Sequence, residues 1–138
     1  MLFRRPDGHG AGCWRGTSVA PAPQKGRFRH QCEFVLFASK GVFEAAHERC
    51  LPGCFAYCVD RDKPHLTAKP VALLRELLEV TPPGCTVLDP FMGAGSTGVA
   101  CLETGRSFIG MELAPAYYAI SRQRLRQVQP YIMDVAMG

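Results

Sequence analysis

The sequence predicts an α/β fold built around a parallel βαβ unit. Three observations predict it. Thr86-Val87-Leu88-Asp89 is a short strand-like run that leads into a glycine-containing loop, Pro90 to Gly95. A helical stretch from about Ser96 to Glu103 follows and stops at Thr104-Gly105. A second strand, Ser107 to Glu112, comes next, and Pro115 opens a helix that reaches about Val128. Strand, helix and strand in that order imply parallel pairing with a right-handed crossover. Such sheets bind ligands at the carboxyl ends of their strands. Asp89, the glycine loop and Glu112 all fall at that edge.

Upstream, Thr67 reads as the cap of a helix with Pro70 in its first turn. Val71, Leu74 and Leu78 form its apolar stripe, and Arg75 and Glu79 face outward four residues apart. Pro82-Pro83-Gly84 stops it. Residues 32–39 read as a buried strand, a third for the sheet. Residues 42–64 show no clear period and read as a connector. Residues 1–26, rich in Gly, Pro and Arg, read as an arm or loop, which leaves 27–138 as one region.

The chain has 138 residues, 47% hydrophobic and 20% charged, the balance of a folded protein. No stretch approaches the roughly 20 apolar residues of a membrane span. The start turns polar at once, without the apolar core of a signal peptide. The expectation is a cytoplasmic protein with no membrane partner. The net charge of +4 is unevenly spread: residues 1–30 carry six basic side chains against Asp7 alone, and the middle is acidic. A basic flank suits a polyanion such as nucleic acid, with Arg27 and Arg29 as phosphate contacts; on charge alone a solvated surface with a flexible arm is the simpler reading.

Seven cysteines, an odd number with no secretory signal, argue against a disulfide framework. Cys32, Cys85 and Cys101 read as small core residues. Cys50, Cys54 and Cys58 would stack on one helix face near His47, but Pro52-Gly53 interrupts that helix and the spacing is not that of a zinc site. No metal is expected.

Gly93, Gly95 and Gly98 match G-x-G-x-x-G, and Glu112 stands nineteen positions after Gly93. That resembles a dinucleotide fingerprint. A bare tight turn would also need glycine. In a dinucleotide site, however, N–H groups at the helix start meet a pyrophosphate. Here Asp89-Pro90-Phe91 precedes the glycines. The carboxylate would repel a pyrophosphate, and Pro90 offers no N–H. The same carboxylate suits an ammonium. S-Adenosylmethionine carries an ammonium, a ribose and an adenine but no phosphate. Asp89 would hold its amino group and Glu112 its ribose.

Asp89 to Gly98 resembles the cofactor loop of the site-specific DNA methyltransferases that modify exocyclic amino groups of adenine or cytosine. His65-Leu66-Thr67-Ala68-Lys69-Pro70 resembles the segment that precedes that loop, and residues 26–41 a further block of the family. The resemblance spans roughly residues 25–127. It implies a partial Rossmann-like S-adenosylmethionine-dependent methyltransferase fold and DNA as partner, as in restriction–modification. It implies that Asp89, Phe91, Gly93, Gly95, Ser96 and Thr97 contact the amino-acid end and loop side of the cofactor. Glu112 would take the ribose, and Thr67 and Lys69 would complete the methionine pocket. Helix capping by Thr67 and a solvated Lys69 remain alternatives.

The family's catalytic block is Asp, Asn or Ser followed by Pro-Pro and an aromatic residue that stacks on an extruded base. Nothing in the chain matches it; Pro82-Pro83 lies between Thr81 and Gly84. The expectation is an incomplete, cofactor-binding part of such an enzyme, inactive alone, whose exposed sheet edge invites self-association. A non-catalytic nucleic-acid-binding module and a dinucleotide-dependent oxidoreductase are the competing readings.

Overall fold

The computed structural model describes residues 10–16 (as backbone), 25–26, 32–40, 46–57 and 68–129. The chain divides into two units, Met1–Arg61 and Asp62–Gly138.

The first unit holds β1 (Gly10–Gly16), β2 (Glu33–Phe37) and β3 (Cys54–Tyr57), in the order β2-β1-β3. β1 runs antiparallel to β2, with Gly10 opposite Phe37 and Trp14 opposite Glu33. It runs parallel to β3, with Cys13 opposite Cys54. The segment expected to be an arm thus supplies the central strand of a sheet. Glycine-rich Gly10-Ala11-Gly12 has no strand propensity of its own; hydrogen bonds to two partners distant in sequence make it a strand. The connector likewise contains β3. Because β3 pairs with β1, the boundary between units falls after residue 61 rather than after 26.

The strand expected at 32–39 is present as β2, but it joins this sheet and not the parallel one. Its Phe34 and Leu36 are exposed, as is Cys32, which is therefore not a core residue. Cys50 lies outside regular structure and Cys54 lies on β3, so they share no helix face. Cys58 lies outside the described residues. Among the described residues no group of three potential metal ligands converges.

The second unit runs α1 (Val71–Leu78), β4 (Thr86–Asp89), α2 (Ser96–Glu103), β5 (Ser107–Gly110) and α3 (Pro115–Val128). β4 and β5 pair in parallel, Thr86 opposite Ser107 through Asp89 opposite Gly110. α1 starts later than the Thr67 cap would place it: Pro70 is the N-cap, with an extended ψ of 130°. A residue before proline is driven out of the helical region, so the helix cannot run back through Lys69. Thr67 itself lies outside the described residues. Leu78, Val87, Ala100 and Cys101 form the core, with Val71, Leu74, Cys85 and Phe108 packed against it. Leu73, absent from the expected stripe, is buried as well. Arg75 reaches across to Glu103 at 3.1 Å, an exposed pair worth under about 1 kcal/mol. Arg106 ties the end of α1 to the end of α2, donating to the Thr81 carbonyl at 2.7 Å and Oγ1 at 2.8 Å and to the Thr104 carbonyl at 3.2 Å.

Strand alternation sends Val87 and Phe108 toward the helices. On the opposite face Leu88 and Ile109 stand side by side, 52% and 51% exposed.

Burial in this core pushes the Cys101 thiol up from 9.0 to about 11. The folded state therefore keeps a proton that the unfolded chain releases. The associated stability is complete below about pH 9 and declines as the pH rises toward about 11. In native protein near pH ~8, an alkylating reagent is expected to modify exposed Cys32, Cys50 and Cys54 and to spare Cys101, read by peptide mass spectrometry. Equal labelling of Cys101 and Cys32 would show that the inner face of α2 is open.

Candidate cofactor-binding site

β4 and β5 end side by side, and main-chain bonding continues past both ends. The Met111 N–H donates to the Asp89 carbonyl and the Met92 N–H to the Met111 carbonyl, each at 2.9 Å. The loop between β4 and α2 is thereby laid along the end of β5. Glu112 fixes it there: Oε2 accepts the Gly93 N–H at 2.9 Å, and Oε1 accepts the Ala114 N–H at 2.8 Å. Asp89 Oδ1 accepts the Phe91 N–H at 3.0 Å, which orients the carboxylate at the strand end. The Gly95 N–H donates to the Met92 carbonyl at 2.8 Å.

The three glycines do different work. Gly93 and Gly95 take positive φ values of 52° and 76°, which side-chain-bearing residues rarely adopt. Beside Gly93 there is open space. A Cβ on Gly95 would lie 2.8 Å from Ser121 Cβ, and one on Gly98 would lie 2.6 Å from Leu125 Cδ2 and Phe108 Cε1. Gly95 and Gly98 thus allow α3 and β5 to close on the loop and on α2.

In front of the loop lies a cavity of about 500 Å³, within the roughly 300–1,000 Å³ of small-molecule sites. Of the residues marked by sequence, Lys69, Asp89, Phe91, Gly93, Ser96, Thr97 and Glu112 line it. Gly95 lies outside the lining. Thr67, Arg27 and Arg29 lie outside the described residues. Sequence reasoning missed Ala68, Met92, Ala94 and Tyr117, and gave Leu74 to the core alone. Tyr117 had a usable signal, being in the first turn of the helix that follows Glu112. Asp89 ends β4, whereas β5 stops short of the end expected at Glu112, which stands two residues beyond it, and Phe91 is 88% exposed at the loop. The arrangement can take a ligand with a cationic group, hydroxyls and an apolar body.

Fold and site together define a partial Rossmann-like α/β protein with a small-molecule cavity at the ends of its parallel strands. Residues 44–123 match the DNA methylase family, and the chain belongs to that family. It is 42% identical over 103 residues to YubD of Escherichia coli (strain K12), a methylase by name, covering 74% of this chain and 44% of that protein. It is 38% identical over 76 residues to the type II methyltransferase M.HinfI of Haemophilus influenzae, covering 54% of this chain and 21% of that protein. The chain thus spans less than half the length of either relative. Among solved structures, the M1.HpyAVI–SAM complex superposes with a TM-score of 0.66 at 29% identity, over 83% of this chain and 60% of that one.

Substitution at the two positive-φ glycines separates backbone strain from packing. Gly93→Ala is expected to cost about 1–2 kcal/mol through φ alone. Gly95→Ala adds overlap with Ser121 and is expected to cost about 1–3 kcal/mol more. Urea unfolding measures both, and equal costs would show that α3 does not press on the loop.

Proposed function

We propose that this chain forms the S-adenosylmethionine site of a DNA amino-methyltransferase acting on an exocyclic amino group of adenine or cytosine. One observation carries the choice of cofactor. The N–H groups of Phe91, Met92, Gly93 and Gly95 all donate to protein acceptors, two of them to the carboxylates of Asp89 and Glu112. The Asp89 carboxylate that opens this loop would repel a pyrophosphate and suits a ligand bearing an ammonium. Asp89 would hold that ammonium. Ser96, Thr97 and the loop main chain would receive the amino-acid end, with Phe91 and Lys69 at its sides. Glu112 accepts hydrogen bonds from Gly93 and Ala114 and keeps lone pairs for ribose hydroxyls. When bound, the cofactor supplies an activated methyl group.

The acceptor side of the reaction is a separate matter. The sequence Asp, Asn or Ser followed by Pro-Pro and an aromatic residue occurs nowhere in the 138 residues. The chain therefore supplies the donor site, and DNA contacts by Arg27 and Arg29 would be to phosphates rather than to bases. Among the described residues no helix is long and apolar enough to cross a membrane.

Titration calorimetry tests the cofactor. S-Adenosylhomocysteine is expected to bind and a nicotinamide dinucleotide is not; the reverse order would favour an oxidoreductase. Asp89→Asn keeps an acceptor for the Phe91 N–H but removes the charge, and is expected to weaken binding about tenfold or more. Unchanged affinity would remove the ammonium role from Asp89.

A second measurement addresses activity. With labelled S-adenosylmethionine and mixed-sequence duplex DNA, the 138-residue chain is expected to transfer no methyl group. Transfer that disappears in Asp89→Ala would place a catalytic group within the chain and overturn this part of the proposal.

A further inference from the structure

One side chain reaches the cofactor loop from behind. Arg124 on α3 is half-buried, and its Nη1 donates both to the Ala94 carbonyl and, at 3.2 Å, to Ser96 Oγ. Ala94 and Ser96 line the cavity; Arg124 does not. Its place is electrostatically costly. Burial lowers its pKa. It also sits at the N-terminal end of α2, the positive end of the helix dipole. The two acceptors compensate for water lost there.

The consequences for the loop are specific. In a trans peptide the carbonyl and the following N–H point in opposite directions. The Ala94 carbonyl meets Arg124 and the Gly95 N–H meets the Met92 carbonyl, so this peptide plane is held at both ends. Ser121, fully buried one turn earlier on α3, closes against the bare Gly95. At Ser96 the guanidinium occupies an acceptor position of the hydroxyl. The hydroxyl hydrogen is left to donate, and a carboxylate is the group it suits.

We infer that Arg124 is a positioning residue: it holds the Ala94–Gly95 peptide and turns Ser96 into a donor for the carboxylate of the cofactor's amino-acid end. The inference rests on the cofactor proposed above. With Asp89 taking the ammonium and Ser96 the carboxylate, the loop reads the amino-acid end in one orientation only.

The test compares two ligands by titration calorimetry on the full chain. S-Adenosylhomocysteine carries the amino-acid end, and 5′-methylthioadenosine lacks it. Arg124→Met is expected to raise the Kd for the first about tenfold and to change the second by no more than about twofold. Arg124→Lys keeps the charge without the planar fork and is expected to recover part of the loss. A purely architectural role would weaken both ligands together. An unchanged ratio of the two affinities in both variants therefore overturns the inference while leaving the cofactor assignment standing. Wild-type protein that binds neither ligand overturns both. Thermal unfolding without ligand is recorded for each variant, and if Arg124→Met fails to fold, the ratio for Arg124→Lys decides.

Discussion

The carboxylate of Glu112 accepts the Gly93 N–H with one oxygen and the Ala114 N–H with the other, and the placement of the loop and of α3 follows from that bridge. The bond from the Met92 N–H to the Met111 carbonyl adds a second tie between the turn after β4 and the end of β5. Glu112 lies just past β5, and the Gly93 that it holds takes a positive φ of 52°, a conformation that suits glycine. The cavity lining and the loop architecture therefore share one side chain.

The rest of the loop is shaped from its far side. Ser121 and Leu125 of α3 pack against the positions where Gly95 and Gly98 lack side chains, and Arg124 fastens the Ala94 carbonyl just before Gly95. The cavity wall is thus a thin strip of main chain backed by a helix. Interiors packed this closely transmit small displacements, so a change at Ser121, Arg124 or Leu125 reaches the cavity wall although none of the three lines it. Helix α2 joins the two halves of the arrangement. Its start carries Ser96 and Thr97 into the cavity, while Ala100 and Cys101 a turn later sit in the core with Leu78 and Val87.

The parallel pair β4–β5 is covered on the Val87–Phe108 face and bears half-exposed Leu88 and Ile109 on the other. Sheets of parallel strands ordinarily have both faces covered.

The sequence by itself determined β4, α2, β5 and α3, because each is bounded by local signals: Pro82-Pro83-Gly84, the glycine loop, Thr104-Gly105 and Pro115. It also marked Asp89 and Glu112, although β5 stops at Gly110, two residues before Glu112. The start of α1 was misread because the effect of Pro70 on Lys69 outweighs the capping preference of Thr67. Only the tertiary structure decided the rest. β1 and β3 exist through pairing between distant segments, which composition does not show. That Gly95 and Gly98 face α3 rather than a ligand depends on how closely two helices approach. The same holds for Arg124. In sequence it is one of three arginines along α3, and only the approach of α3 to the loop brings it to Ala94 and Ser96.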